Sequence, residues 1–273
     1  MSYETLMVHL DAERDSESRV QVALALADRF QAALIGVAGL ALRPRFVAGG
    51  IAVYSEPAPD ELQKMNALLD DLGRRFLGKG RHIPHIEWRS ALESSFELVA
   101  REARAADLVV LGPRRTAGQM HDLIDPGAII LRAGRPVLVV PDTVPPLGLH
   151  RAIVAWKDTR ECRRAVYDAI PLLKHAREVL LFEVGEEDNK TEAKKVLADM
   201  TRYLVHHKVL VGGEIWRRAR APTAAEILEI VRAEKADLIV AGGYGHSRLG
   251  EWIFGGVTHE LLAQSAVCCL LSH

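Results

Sequence analysis

The sequence contains no run approaching the ~20 consecutive apolar residues of a membrane span. Its first stretch, MSYETLMVHLDAERD, has no basic segment followed by a long apolar one. Neither a membrane nor a secretory route is expected. Cysteine is scarce: Cys162, Cys268 and Cys269 are the only three and form no CxxC pair. Adjacent Cys268 and Cys269 would face opposite sides of a strand, so a disulfide framework is excluded and buried thiols in the reducing cytoplasm are expected. Charge excess is missing too, with 35 Lys plus Arg against 36 Asp plus Glu. Without a basic field, neither nucleic acid nor an anionic membrane is an expected partner. The eleven histidines are scattered, and the one adjacent pair, His206-His207, has no Cys or carboxylate at ligand spacing, so no metal site is expected.

What is present is a core: 49% of the 273 residues are hydrophobic, enough for a soluble globular chain, and the length suits two domains. The chain also repeats itself. "ADLVVLGPRR" (106–115) echoes "ADLIVAGGYG" (236–245), with Asp107 and Asp237 in register. "IEWR" (86–89) resembles "EIWRR" (214–218), pairing Trp88 with Trp216, and residues 7–27 line up without a gap on residues 153–173. Such self-similarity points to two copies of one unit.

Within each copy short apolar runs alternate with helical periodicity. Leu6–Leu10, Ala33–Val37, Leu108–Leu111 and Pro136–Val140 read as buried strands,. Val20, Ala23, Leu24, Ala27 and Phe30 share a helix face, as do Val166, Ala169, Ile170 and Leu173, although Pro171 should kink the second helix,. Strand and helix alternation with right-handed crossovers predicts an α/β fold: two tandem five-stranded parallel sheets, each a Rossmann-like open α/β sandwich. The proline-bearing "PDTVPPLGLH" (141–150) reads as a linker between a domain over 1–142 and one over 150–273,.

Open parallel sheets bind ligands beyond the carboxyl ends of their strands, where strand order reverses. There the second copy has "AGGYGHSRLGEWIFGGVTHELL" (241–262). Gly242 and Gly245 follow the apolar run, and after nine further residues Gly255 and Gly256 precede a helical segment from Val257 with Thr258 in its first turn. Glycine lets backbone amides approach an anion, and the helix start adds unpaired N–H groups, so the spacing reads as a phosphate cradle. The competing reading is a strand-to-helix turn that needs glycine only for its geometry. It is neither a Walker A loop nor GxGxxG.

The chain resembles a tandem universal stress protein, of the adenine nucleotide alpha-hydrolase-like superfamily, over essentially its whole length. Nucleotide-binding members of that family carry G-x2-G-x9-G-[ST]. Gly242, Gly245 and Gly255 match, and Gly256 stands where the hydroxyl residue would be. The resemblance implies an acidic residue at the end of the first strand and backbone contacts to adenine from the second. In the first copy these are Asp11 and Gly36-Val37; in the second, Lys157 holds the acidic position, beside Trp156, and Val184 ends the second strand. The first copy's loop keeps Gly112 and Gly127 but has Arg115 for the second glycine. The resemblance further implies that the last strands of the two copies pair, packing the chain as a pseudo-dimer.

The expected function is therefore a regulatory, stress-response protein binding ATP, with Mg, or a related adenine nucleotide, mainly through the second copy. Protein partners are expected, and a homodimer of the tandem chain is compatible with this picture. The alternative is a nucleotide-free scaffold of the same fold. No Ser-His-acid or Cys-His set has supporting context, and no SGGxDS-like loop follows a first strand, so no enzyme beyond slow incidental ATP hydrolysis is expected. Some residues keep two readings: Asp11 as helix cap or ribose contact, Trp156 as pocket wall or core-edge aromatic, Arg114-Arg115 as phosphate ligands or solvated charges. His246, Ser247 and Arg248 lie within the glycine stretch, where Arg248 would reach phosphate and Ser247 would cap.

Overall fold

The computed structural model describes residues 2–12, 15–41, 46–48, 51–53, 57–113, 124–143, 147–245 and 256–273. The first half runs β1 (Thr5–His9), α1 (Glu17–Phe30), β2 (Ala33–Gly39), a hairpin of β3 (Phe46–Ala48) and β4 (Ile51–Val53), α2 (Pro59–Lys79), β5 (Ile86–Ala91), α3 (Ser95–Glu102), β6 (Leu108–Leu111), α4 (Pro126–Arg132) and β7 (Val137–Val139). The second half repeats the order without the hairpin: β8 (Ala152–Ala155), α5 (Arg160–Leu173), β9 (Val179–Gly185), α6 (Lys190–His206), β10 (Val211–Arg218), α7 (Thr223–Ala233), β11 (Leu238–Gly242), α8 (Gly256–Gln264) and β12 (Cys268–Ser272).

Ten strands form one sheet in the order β10-β9-β8-β11-β12-β7-β6-β1-β2-β5. Each half contributes its third, second, first, fourth and fifth strands, parallel to one another. The halves meet at β7 and β12, which pair antiparallel with Leu138 opposite Leu270. That junction makes the tandem copies a pseudo-dimer and covers two apolar edges that would otherwise template aggregation. The hydroxyl of Tyr3 adds a second tie, donating to the Asp168 carbonyl at 2.6 Å.

The near-continuous apolar strands are explained by burial on both faces. Leu6, Val8, Val154, Val240 and Leu270 face a cluster covered by α1, α2, α5 and α6. Met7, Val109, Ile153, Ile239 and Leu271 face one covered by α3, α4, α7 and α8. Cys268 and Cys269 split between the two clusters as alternation requires. Both are buried and burial pushes their thiols up, Cys269 to about 12.

The matched aspartates have matched roles. Asp107 accepts hydrogen bonds from the backbone N–H of Glu4 and Thr5 at 2.8 and 3.0 Å. Asp237 accepts those of His150 and Arg151 at 2.9 and 3.2 Å. Each carboxylate ties the start of the fourth strand of its half to the segment entering the first strand, satisfying donors that precede the ladder.

Two expectations need correction. The gapless match of 7–27 with 153–173 holds along the strands but not beyond, because seven residues separate β1 from α1 and only four separate β8 from α5. Burial therefore aligns Arg19 with Cys162, each the third residue of its helix. Trp88 and Trp216 are not equivalent: Trp88 pairs with Gly36 and Trp216 with Glu183, and a bulge between Val211 and Gly213 shifts β10 against its neighbour,. Pro171 stays within α5, in its last turn, where its missing N–H leaves only one carbonyl without an intrahelical donor,. The β3–β4 hairpin had not been expected at all; Gly49-Gly50 between its strands lies outside the described residues.

Candidate functional site

Within each half the strand order reverses between the first and fourth strands. In the second half the carboxyl ends of β8 and β11 open there into a cavity of about 240 Å³. Trp156, Lys157, Val184, Gly242, Gly245, Gly256, Val257 and Thr258 all border it, so those eight residues, distant in sequence, surround one space. Gly255 lies outside the described residues, as do His246, Ser247 and Arg248.

The walls follow from local chemistry. At the end of β8 the Trp156 N–H donates to the Phe182 carbonyl at 2.7 Å, extending the ladder by one step. The Trp156 side chain is 4% exposed and belongs to the core cluster under α5 and α6, so the residue is both pocket border and core aromatic. The chain then turns into α5, where the Thr159 hydroxyl caps the helix by accepting from the Cys162 N–H at 3.3 Å,. Phe182, Val184 and Ile227 give an apolar side to the cavity, and Thr223, at the first turn of α7, a hydroxyl. The Cys162 thiol donates to the Ala155 carbonyl at 3.5 Å, and burial pushes it up to about 11, so it stays protonated at neutral pH.

The glycines have separable roles. A Cβ on Gly242 would lie 2.6 Å from the Cys162 backbone nitrogen, so this glycine is required where β11 passes the start of α5. A Cβ on Gly245 would meet Glu161 Oε2 at 3.0 Å and Thr159 Oγ1 at 3.6 Å, and one on Gly256 would meet nothing within 4 Å. The turn between them is held by Tyr244, in the left-handed region with φ 58°, whose N–H donates to the buried Thr258 hydroxyl at 3.2 Å.

Glu161 is the acidic group of this cavity. Burial raises its pKa, but hydrogen bonds from its own backbone N–H and the Thr159 hydroxyl, with the charges of Arg160 and His273, outweigh that and leave it below the usual carboxylate range. Spacing gave no signal for Glu161, Phe182, Thr223, Ile227 or Tyr244. Thr159 was legible as a hydroxyl residue before a helix.

The first half does not gather its four candidates into one described cavity. Asp11 borders a cavity of about 390 Å³ with Leu72 and Phe76, and its N–H donates to Ser16 Oγ at 2.9 Å. Gly112 borders another of about 490 Å³ with Asp15–Arg19 and Val140–Thr143. Arg19, taking the place of Cys162, lies over Gly112, where a Cβ would collide with its guanidinium. Val37 is wholly buried in β2 with its carbonyl bonded to the Leu10 N–H, the position of Phe182 rather than of Val184. The register counterpart of Val184 is Gly39, where α3 closes over the strand end and a Cβ would lie 2.7 Å from the Glu93 carbonyl. The Gly127 N–H is taken by Asp125 at 3.1 Å, and the Tyr244 hydroxyl from the other half packs against the same glycine. Arg114 and Arg115 lie outside the described residues.

Among the described residues no cluster of His, Cys, Asp and Glu suits a metal ion, and no helix is long and apolar enough to cross a membrane. The model of the Universal stress protein family matches residues 149–273. Among solved structures, a universal stress protein from Archaeoglobus fulgidus superposes with a TM-score of 0.75 at 14% identity, covering 97% of this chain and 95% of that one. A functionally unknown protein from Pseudomonas aeruginosa gives 0.60 at 14% identity, over 99% of this chain and 92% of that one. At such identities these two likenesses are likenesses of fold. No curated protein matches the chain.

Proposed function

We propose, from the premise that residues 149–273 form a domain of the universal stress protein family and that the first half repeats its fold, that the chain is a regulatory stress-response protein of the cytoplasm which binds ATP or a related adenine nucleotide in its second half. In this reading the chain divides into a domain over 1–142 and one over 150–273, and only the second keeps a ligand site. The observation that carries the proposal is the cavity at the strand-order reversal, bordered by Gly242, Gly245, Gly256 and Thr258 and by Phe182, Val184 and Ile227. An apolar slot beside a glycine turn and a helix N-terminus suits a flat base carrying a polar, anionic tail. The family model matches residues 149–273, and in the first half Arg19 lies over Gly112 and the start of α3 lies over Gly39.

The site is read as a binding site without efficient turnover. Cys162, the nucleophilic side chain on its wall, is protonated and bonded to a backbone carbonyl. Signalling then runs through conformation and protein partners, and Tyr244, which spans from this loop to Gly127 of the other half, is placed to report occupancy. Were ATP bound with Mg, Glu161 is the carboxylate nearest the glycine turn among the described lining residues.

Calorimetry with adenosine, AMP and ATP tests the proposal on wild type and on Val184→Trp, which fills the slot with a bulky ring. Binding of at least one of the three, lost in the variant at unchanged melting temperature, supports it. Absence of heat from all three with wild type would leave the nucleotide-free scaffold.

A further inference from the structure

The phosphate end of the cavity already holds a negative charge. A Cβ on Gly245, the second glycine of the spaced set, would sit 3.0 Å from Glu161 Oε2, so the carboxylate lies against the turn whose amides would face a phosphate. Its side chain is 12% exposed, and among the described residues its ion pair is with Arg160 Nε at 3.4 Å, on a side chain that is itself 76% exposed and screened by water,. Hydrogen bonds from Thr159 and its own backbone keep it ionised at neutral pH. Among the described lining residues Lys157 is the one cation, so Lys157 and Glu161 together bring no net positive charge. The volume of about 240 Å³ falls below the ~300–1,000 Å³ usual for ligand pockets. A triphosphate would set three or four further negative charges beside a fixed carboxylate in a partly dry site, whereas a nucleoside sets none.

We infer that the ligand of this cavity is an adenine nucleoside or its monophosphate, and that Glu161 is the specificity-determining residue that excludes longer phosphate chains. The inference rests on the adenine reading of the site and narrows it. Glu161 does this by setting its negative charge beside Gly245, and Gly256 carries no side chain to donate a hydrogen bond.

The test is calorimetric titration of the full chain with adenosine, AMP and ATP, in EDTA and again with Mg, for wild type and Glu161→Gln, with melting temperatures to confirm folding. Wild type should bind adenosine and AMP at least about tenfold more tightly than ATP under both conditions. Glu161→Gln, neutral and nearly isosteric, should raise ATP affinity by about tenfold or more and leave adenosine unchanged. ATP binding wild type as tightly as adenosine overturns the inference, as does an unchanged preference in Glu161→Gln. Mg-ATP binding tightest and weakening in Glu161→Gln also overturns it, making the carboxylate a cation bridge. Those results leave the adenine reading standing, whereas no binding by any of the three compounds removes both.

Discussion

Replacing Gly242 by alanine separates a packing requirement from a ligand requirement in the glycine loop. The new Cβ would lie 2.6 Å from the Cys162 nitrogen, 2.9 Å from the Glu161 carbonyl carbon and 3.0 Å from the Cys162 Cα. Comfortable separations begin at about 3.5 Å, so the start of α5 must retreat by roughly 1 Å or β11 must bend. All three neighbours are backbone atoms, and no rotamer change relieves the clash. Overpacking of this kind costs about 1–3 kcal/mol; taking about 2 kcal/mol, the melting temperature falls by about 4–8 °C. Gly245→Ala meets side-chain oxygens rather than backbone, Glu161 Oε2 at 3.0 Å and Thr159 Oγ1 at 3.6 Å, and should cost less than Gly242→Ala,. Gly256→Ala meets nothing within 4 Å at the first residue of α8 and should be neutral or stabilising by up to about 1 kcal/mol. Thermal and urea melts of the three variants decide the matter. Equal stability of Gly242→Ala and Gly256→Ala would refute the packing argument for Gly242.

Other outcomes follow from the same geometry. Asp107→Ala and Asp237→Ala each remove a carboxylate that accepts two backbone N–H bonds and should each cost about 1.5–3 kcal/mol. Their effects should add within about 0.5 kcal/mol in urea melts, since three strand spacings separate them. His9 is buried with neither ring nitrogen partnered, and burial, then the charge of Arg19, holds its pKa well below 6.5. The unfolded chain gains a proton below about pH 6.5 that the folded chain refuses, so stability is full above that pH and falls below it by up to ~1.4 kcal/mol per unit. His9→Leu should remove that share of the slope in melts between pH 7.5 and 5.5, and an unchanged slope would show that His9 is protonated when folded. A chain ending after Val140 loses the β12 partner of β7 and should dimerise or aggregate; a monodisperse monomer in light scattering would contradict this.

The fold was largely legible because period and repetition report burial directly. Continuous apolar runs such as Leu108–Leu111 are buried on both faces, and the paired "ADL" segments marked the same carboxylate tie in each half. What resisted reading depends on register and loop length. The similar-looking IEWR and EIWRR segments differ in register, which leaves Trp216 two positions further along its strand than Trp88. Three extra residues after β1 bring Arg19 over Gly112, so the first half's glycine faces a guanidinium where the second half's faces the start of α5. At the candidate site the glycine spacing picked out Gly242, Gly245 and Gly256, which border one cavity. It said nothing of Glu161, because the chain turns back through the Thr159 cap before a carboxylate from another segment reaches Gly245.

The central claim is that one half binds an adenine ligand and the other does not. Photo-crosslinking of the full chain with 8-azidoadenosine, mapped by peptide mass spectrometry, tests it most directly. The label should fall on peptides containing Trp156–Cys162, Thr223–Ile227 or the 242–258 loop and should be competed by adenosine. Label on Asp11–Arg19 or Gly112–Gly127, or labelling that adenosine leaves unchanged, would contradict it.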